Sequence, residues 1–103
     1  MGKLLNTQQI MDRMEDMFFD GDPSDLDGDS VRGRLRNGRG ARIRVVENDG
    51  MLNVRLLVPG SGDMGIGFSL FAEDATVERI DRFIAHAEKA QKRNMKRWEE
   101  IYG

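Results

Sequence analysis

Hydrophobic and polar residues alternate in four successive stretches of the chain between residues 31 and 71. Such alternation is typical of β-strands with one buried face, because successive side chains point to opposite sides of a sheet. The pattern predicts four strands, of which the last covers about residues 65–71. The apolar positions are Val31, Gly33 and Leu35, then Ala41, Ile43 and Val45, then Leu52, Val54, Leu56 and Val58, and finally Ile66, Phe68 and Leu70.

Turn residues predict that these strands are antiparallel neighbours in chain order. Asp49-Gly50 is a strong signal for a two-residue hairpin, and its register sets Arg44 opposite Arg55. A three-residue loop at residues 38–40 sets Arg34 opposite Arg44. In both hairpins the apolar residues then lie on one face of the sheet and the arginines lie on the other.

Helical periodicity flanks the predicted sheet on both sides. Asn6 and Gln9 have the spacing of a capping box, and the apolar residues that follow predict a helix at about residues 7–19. From about Thr76, an apolar stripe with charge on the opposite side predicts a second helix of about twenty-five residues. We therefore predict an α+β fold with an N-terminal helix, a four-stranded antiparallel meander and a long C-terminal helix packed on the sheet.

Residues 20–30 contain one proline, two glycines and five aspartates, a composition that predicts a loop or a mobile linker. We accordingly divide the chain into an N-terminal amphipathic helix with an acidic loop, residues 1–30, and a sheet with a C-terminal helix, residues 31–103. The aspartates do not fit a calcium-binding EF-hand loop, which needs glycine at its sixth position and glutamate at its twelfth. We predict no metal site and no cofactor.

The predicted C-terminal helix, ~38 Å long at ~1.5 Å per residue, is longer than four strands ~4.8 Å apart are wide. Apolar residues near its end therefore extend past the sheet, and a partner subunit is the simplest cover for them. These residues are Met95, Trp98, Ile101 and Tyr102. We expect them to form a dimer or partner interface, and we expect a homodimer.

Charge is distributed unevenly along this chain, whose net charge is −2. Residues 1–30 contain eight acids and two bases, whereas residues 31–46 contain six arginines and no acid. Strand alternation predicts an arginine cluster on a single sheet face, formed by Arg32, Arg34, Arg36, Arg42, Arg44 and Arg55. Like charges opposite one another destabilise a sheet by up to ~1 kcal/mol per pair, and a bound polyanion would offset this cost. The alternative is a solvated face balanced by Glu47, Asp63 or the acidic loop.

Other residues narrow the classes of function. The three arginine-bearing strands contain no aromatic residue, so Phe71, which has the same parity as Ser69, is the candidate for stacking on a base. The chain has no cysteine, and its one histidine, His86, lies among basic residues without a nearby nucleophile, so we predict no enzyme. Residues 1–20 hold neither a signal peptide nor a membrane span, and the lack of cysteine suits a cytoplasmic location.

The segment DMGIGFSLFAEDATVERIDRFI, which follows the predicted hairpins, resembles the end of the transcriptional positive-cofactor-four family and its bacterial relatives. In that family a strand of the type K-G-I-S-L leads into a long helix. The resemblance covers residues 31–90, with Ile66 at the place of a basic residue of the family. It implies a homodimer that grips single-stranded DNA with basic and aromatic residues of the sheet, while Phe83 and Ile84 support the helix packing. The residues that it implies as phosphate contacts are Arg34, Arg42, Arg44 and Arg55.

The sequence thus favours a non-catalytic binding protein that uses its arginine-rich sheet face to bind single-stranded nucleic acid or another polyanion. The alternative is a protein–protein interaction module, such as a small phage or mobile-element accessory or inhibitor protein. Salt separates the two hypotheses. Phosphate binding by about six arginines weakens steeply with salt, with a log–log slope near ~−4 for single strands, whereas a hydrophobic protein interface barely responds.

Overall fold

The computed structural model describes residues 3–23, 25–58 and 65–102, and the statements below concern these residues. Two helices and five strands follow one another as α1 (Thr7–Phe18), β1 (Asp25–Asp27), β2 (Ser30–Arg34), β3 (Gly40–Asn48), β4 (Met51–Leu57), β5 (Ile66–Phe71) and α2 (Val77–Tyr102). The strands form one antiparallel sheet in chain order. The predicted α+β fold, with its N-terminal helix, antiparallel meander and long C-terminal helix, is confirmed.

The N-terminal helix begins at the predicted capping box. Asn6 Oδ1 accepts a hydrogen bond from the Gln9 backbone N–H at 2.8 Å, and Gln9 Oε1 accepts one from the Asn6 N–H at 2.9 Å. These two bonds satisfy backbone donors that the first turn of a helix leaves without an intrahelical partner. Local sequence therefore determines where α1 starts.

The acidic segment that was predicted as a loop contains the short edge strand β1. Its three residues pair with β2, so that Leu26 lies opposite Val31. Gly28, with a φ of +62°, begins the two-residue turn between β1 and β2, where a left-handed φ favours glycine. Pairing with a neighbouring strand here overrides the low strand propensity of aspartate.

The two arginine hairpins differ in how well the turn residues predicted them. The register that sets Arg44 opposite Arg55 is confirmed, and Asp49 and Gly50 have the positive φ values, 54° and 76°, that their tight turn requires. The predicted register of the first hairpin is wrong, because Arg34 pairs with Gly40 and not with Arg44. The loop is longer than three residues.

Leu35 explains this longer loop. Its side chain is buried, and its backbone N–H donates to the carbonyl of Arg39 at 2.8 Å, which closes the loop at residues 35–39. The partner of Arg34 moves from residue 44 to residue 40, a shift of four. Because side chains alternate with a period of two, an even shift keeps every arginine of β2 on its predicted face.

Both helices pack on one face of the sheet and leave the other face open. The shared core contains Ile10 and Met14 from α1, Ile43 from the sheet, and Ile80 and Ile84 from α2. An ion pair of 2.6 Å between Arg13 and Asp81 also joins the helices. In the described part of the chain, no helix is long and apolar enough to cross a membrane.

A partner subunit was expected at the end of α2 because its apolar residues extend past the sheet. For Met95 and Trp98 this argument does not hold, because another part of the chain contacts them. The loop at residues 35–39 lies against them, with the Arg39 guanidinium 3.9 Å from the Trp98 ring centre and Asn37 Nδ2 donating to Met95 Sδ at 3.7 Å. Ile101 is 63% exposed, and the side chain of Tyr102 lies outside the described part of the structure. The prediction overlooked the loop, which packs against Met95 and Trp98 but leaves Ile101 exposed.

Candidate nucleic-acid interface

Five of the six predicted arginines lie on the open face of the sheet. They are Arg32 and Arg34 of β2, Arg42 and Arg44 of β3, and Arg55 of β4, and we call them the arginine face. The strand registers set Arg32 opposite Arg42 and Arg44 opposite Arg55. Because directly opposite side chains of antiparallel strands are ~4.5–5.5 Å apart at Cβ, these pairs form two adjacent rows of positive charge.

Arg36 is not part of the arginine face, contrary to the prediction. Strand β2 ends at Arg34, and the chain then turns toward the helical side of the sheet. The guanidinium of Arg36 donates to the backbone carbonyl oxygens of Met17 and Asp16, at the C-terminal end of α1. Carbonyls in the last turn of a helix have no intrahelical donor, so this arginine caps α1.

One aspartate neutralises part of the arginine face. Asp29 Oδ1 lies 3.3 Å from Arg44 Nε, in an ion pair whose side chains are 46% and 52% exposed. Exposed pairs of this kind contribute ~0–1 kcal/mol, because water and salt screen them. Among the described residues, Arg34, Arg42 and Arg55 form no ion pair. Three of the five arginines of this face are therefore not paired with an acid that the structure describes.

The edge strand β1 borders the arginine face. The register pairs Asp25 with Arg32 and Asp27 with Ser30. Three acidic groups were considered as internal counter-charges to the arginines. The acidic segment supplies Asp29. Glu47 has the opposite parity to Arg44 on β3 and so occupies a position on the other face, and Asp63 lies outside the described residues. Of these candidates, Asp29 is the one that the described structure places against the arginine face.

The far end of the open face is apolar. Phe71, on the edge strand β5, has the predicted parity, lies opposite Met51, and is 54% exposed. Gly67 lies opposite Arg55 in the same strand pair. Phe71 is therefore four residues along β5 from the Arg44–Arg55 row, or ~14 Å at ~3.4 Å per residue. An extended ligand is needed to reach both.

Gly67 is a residue of this face whose role the sequence signalled only weakly. A Cβ atom at position 67 would lie 2.8 Å from the carbonyl oxygen of Val54 and 3.2 Å from Cγ of Arg55. The missing side chain lets Arg55 lie against the edge strand. An isolated glycine in a strand often marks a close approach of another group to the backbone. The glycine in the predicted fourth strand was therefore the signal in the sequence for this contact.

The residues that the structure describes form no metal-binding cluster. These residues contain no group of three or more histidine, cysteine, aspartate or glutamate side chains that could hold a metal ion. His86 lies exposed on α2, in the helical layer on the opposite side of the sheet from the arginine face. The arginine face is the chemical feature that the fold assembles from several strands.

No protein-family model, no curated protein and no solved structure matches this chain. The resemblance of residues 31–90 to the positive-cofactor-four family stays a prediction that these comparisons do not test.

Proposed function

We propose that this protein binds single-stranded nucleic acid, or another extended polyanion, on its arginine face and does so without catalysis. The observation that carries the proposal is the pairing of arginine with arginine in two adjacent rows, Arg32 with Arg42 and Arg44 with Arg55. Opposed like charges lower the stability of the free sheet by up to ~1 kcal/mol per pair. Phosphate groups between the rows remove that repulsion and release condensed counterions.

The shape of the face supports a single strand as the ligand. The arginines occupy three neighbouring strands, so the basic area is ~10 Å wide at ~4.8 Å between strands. The face is an open sheet surface and presents no helix that could enter a major groove, which is a common way to read duplex DNA. Aromatic stacking is tolerant of sequence, so Phe71 favours bases without selecting among them.

The direct test is the titration of a fluorescently labelled single strand of about 20 nucleotides, followed by anisotropy at several salt concentrations. Five arginine contacts predict a log–log slope of about −3.5 for a single strand. We expect Arg44→Glu with Arg55→Glu to abolish binding and to leave the fold intact, because both side chains are exposed.

The matched control reverses two exposed arginines of α2, Arg79→Glu with Arg93→Glu, on the helical side of the molecule. It makes the same change in net charge but leaves the arginine face unchanged, so binding should persist at a similar affinity. Equal loss of binding in both double variants would mean that net charge, and not this face, controls retention. Full binding by the Arg44→Glu, Arg55→Glu variant would refute the proposal.

A protein-interaction module is the second candidate, and the exposed apolar residues favour it. Leu57 and Phe71 are exposed on the open face, and Ile101 is exposed at the end of α2, where a homodimer contact was expected. A partner bound there would bury apolar area, and its affinity would change little with salt. Binding of a protein partner that persists at high salt and is lost in the Phe71→Ser variant would favour this candidate.

A further inference from the structure

The two edges of the sheet differ in how they are protected against pairing with another chain. An open edge presents main-chain N–H and C=O groups, and natural proteins block it with a short strand, charged residues or proline. Strand β1, at one edge, has three residues, two of which are aspartates. Strand β5, at the other edge, has six residues, Ile66–Phe71, with no charge and no proline. The β5 edge therefore lacks these protections.

The outer side of β5 presents main-chain groups of three residues. Among the described residues, β4 is the strand that pairs with β5. The Ala72 N–H donates to the carbonyl of Gly50 at 2.7 Å, and the residues that bond to a given neighbour alternate along an antiparallel strand. The even-numbered residues of β5 therefore bond to β4. The groups that point outward belong to Gly67, Ser69 and Phe71.

These three residues form a self-complementary pattern around Ser69. In an antiparallel pair that sets Ser69 opposite Ser69 of a second copy, Gly67 lies opposite Phe71 on both sides of the centre. A two-fold axis perpendicular to the sheet generates this register, so both copies use the same surface. About six main-chain hydrogen bonds form. Phe71, which is 54% exposed, then covers a glycine, an arrangement that stabilises glycine in strands.

The surroundings of β5 are compatible with a second copy. On the helical side, the half-buried Phe68 and Phe83 stack with their ring centres 5.0 Å apart, and a second β5 beside them would reduce their exposure. On the open face, the arginines nearest to the axis are the two Arg55 residues, one on each β4. Three strand spacings, at least ~14 Å, separate them. Salt at 0.1 M screens exposed charges beyond ~10 Å, so this repulsion is weak.

We propose that two copies of this chain pair through β5, in antiparallel register centred on Ser69, and form one continuous sheet from the five strands of each copy. Because the axis is perpendicular to the sheet, both arginine faces lie on the same side. Each copy places its Phe71 in the row of Arg44, Arg55 and Gly67 of the other copy.

This pairing completes the candidate nucleic-acid interface. Within one chain, Phe71 is ~14 Å along β5 from the row of Arg55. The Phe71 of the second copy lies in that row, two strand spacings or ~10 Å from Arg55, with only Gly67 between them. A base stacked on this ring has its phosphate close to Arg55. The stacking role rests on the proposed function, whereas the pairing of the strands does not.

The test is sedimentation equilibrium without nucleic acid. The mean mass of the natural protein should rise from monomer toward dimer as its concentration is raised about a hundredfold. Ser69→Lys sets two like charges opposite one another at the axis, as does Ser69→Glu, and each should weaken dimerisation by about fivefold or more. Ser69 is exposed, so both variants should fold. An equimolar mixture of the two should associate at least about fivefold more tightly than either alone, because lysine then lies opposite glutamate.

Gln8→Lys and Gln8→Glu are the matched controls on the exposed side of α1. They make the same changes in net charge, so each should dimerise like the natural protein and their mixture should gain nothing. A natural protein that stays monomeric, a dimer unaffected by both Ser69 variants, or an equal gain in the Gln8 mixture would overturn the proposal. A dimer of this kind that binds no single strand would refute the proposed function and leave the pairing of β5 in place.

Discussion

Arg55→Gln should stabilise the free protein while it weakens nucleic-acid binding. Arg55 lies directly opposite Arg44, and repulsion between opposed like charges costs ~0.2–1 kcal/mol. Asp29 neutralises part of Arg44, so we take the middle of this range, ~0.5 kcal/mol. In a domain of this size that gain raises the unfolding temperature by about 2–4 °C. Glutamine keeps the Cγ atom that lies beside Gly67.

Arg34→Gln is the matched control for this prediction. Arg34 carries the same charge on the same face, but it lies opposite Gly40 and so has no like charge across the strand pair. The change should leave stability within about 0.3 kcal/mol of the natural protein, as is usual for exposed positions. Both variants should lose the same increment of salt dependence, about 0.7 in the log–log slope for one lost phosphate contact.

Two assays separate the effect of these variants on stability from their effect on nucleic-acid binding. Urea unfolding at low and high salt measures stability, and the gain from Arg55→Gln should shrink at high salt, because salt screens exposed charges. Anisotropy titrations measure the slope. A stability gain of equal size in Arg34→Gln would refute the role of opposed charges, and an unchanged slope in both variants would mean that these arginines do not contact phosphates.

Three further changes test other contacts of the fold. Asp29→Asn removes the ion pair with Arg44 and should tighten binding of a single strand about twofold to fivefold, with a stability loss under about 1 kcal/mol, measured by anisotropy and urea unfolding. Gly33→Ala should destabilise the protein by about 1–3 kcal/mol in urea, because the new Cβ would clash with the ring of the buried Phe19. Burial raises the pKa of Glu15 above its ordinary value of 4.5. The folded protein therefore binds this proton more tightly than the unfolded chain does, and the resulting stabilisation is complete below pH 4.5 and is lost as pH rises through the raised pKa. Glutamine carries no charge at any pH, so Glu15→Gln should raise the unfolding temperature at about neutral pH, where Glu15 is ionised. Below about pH 4 the variant and the natural protein should unfold at similar temperatures.

Local patterns were sufficient where a single interaction determines the structure. The capping box placed the start of α1, and Asp49-Gly50 fixed the register of β3 with β4, because few other residues tolerate two successive positive φ values. The register of β2 with β3 was not predictable in the same way. It depends on Leu35, which joins the core instead of extending the strand, and burial of one residue in a tertiary contact leaves no local signal.

The candidate site was predictable to the extent that alternation determines it. A period of two assigns each arginine of a strand to a face without knowledge of the register, so five arginines were placed correctly despite one wrong hairpin. The prediction for Arg36 was wrong because strand β2 ends before this residue. The end of a strand depends on the tertiary contacts of the loop that follows it.

The overall charge of −2 does not argue against a polyanion ligand, because the charges are segregated. In 0.1 M salt, exposed charges are screened beyond ~10 Å, so a strand on the open face interacts with the arginines and hardly with the acids of the helical side. The exception is Asp29, in the turn after β1, whose carboxylate lies 3.3 Å from Arg44 on the open face. The basic area extends only ~10 Å across β2–β4, and a second phosphate backbone lying beside the first would meet Asp29. We therefore expect competition by unlabelled duplex to be at least tenfold weaker than competition by single strand, with the difference reduced in Asp29→Asn. Equal competition by duplex and single strand would mean that Asp29 does not limit the ligand.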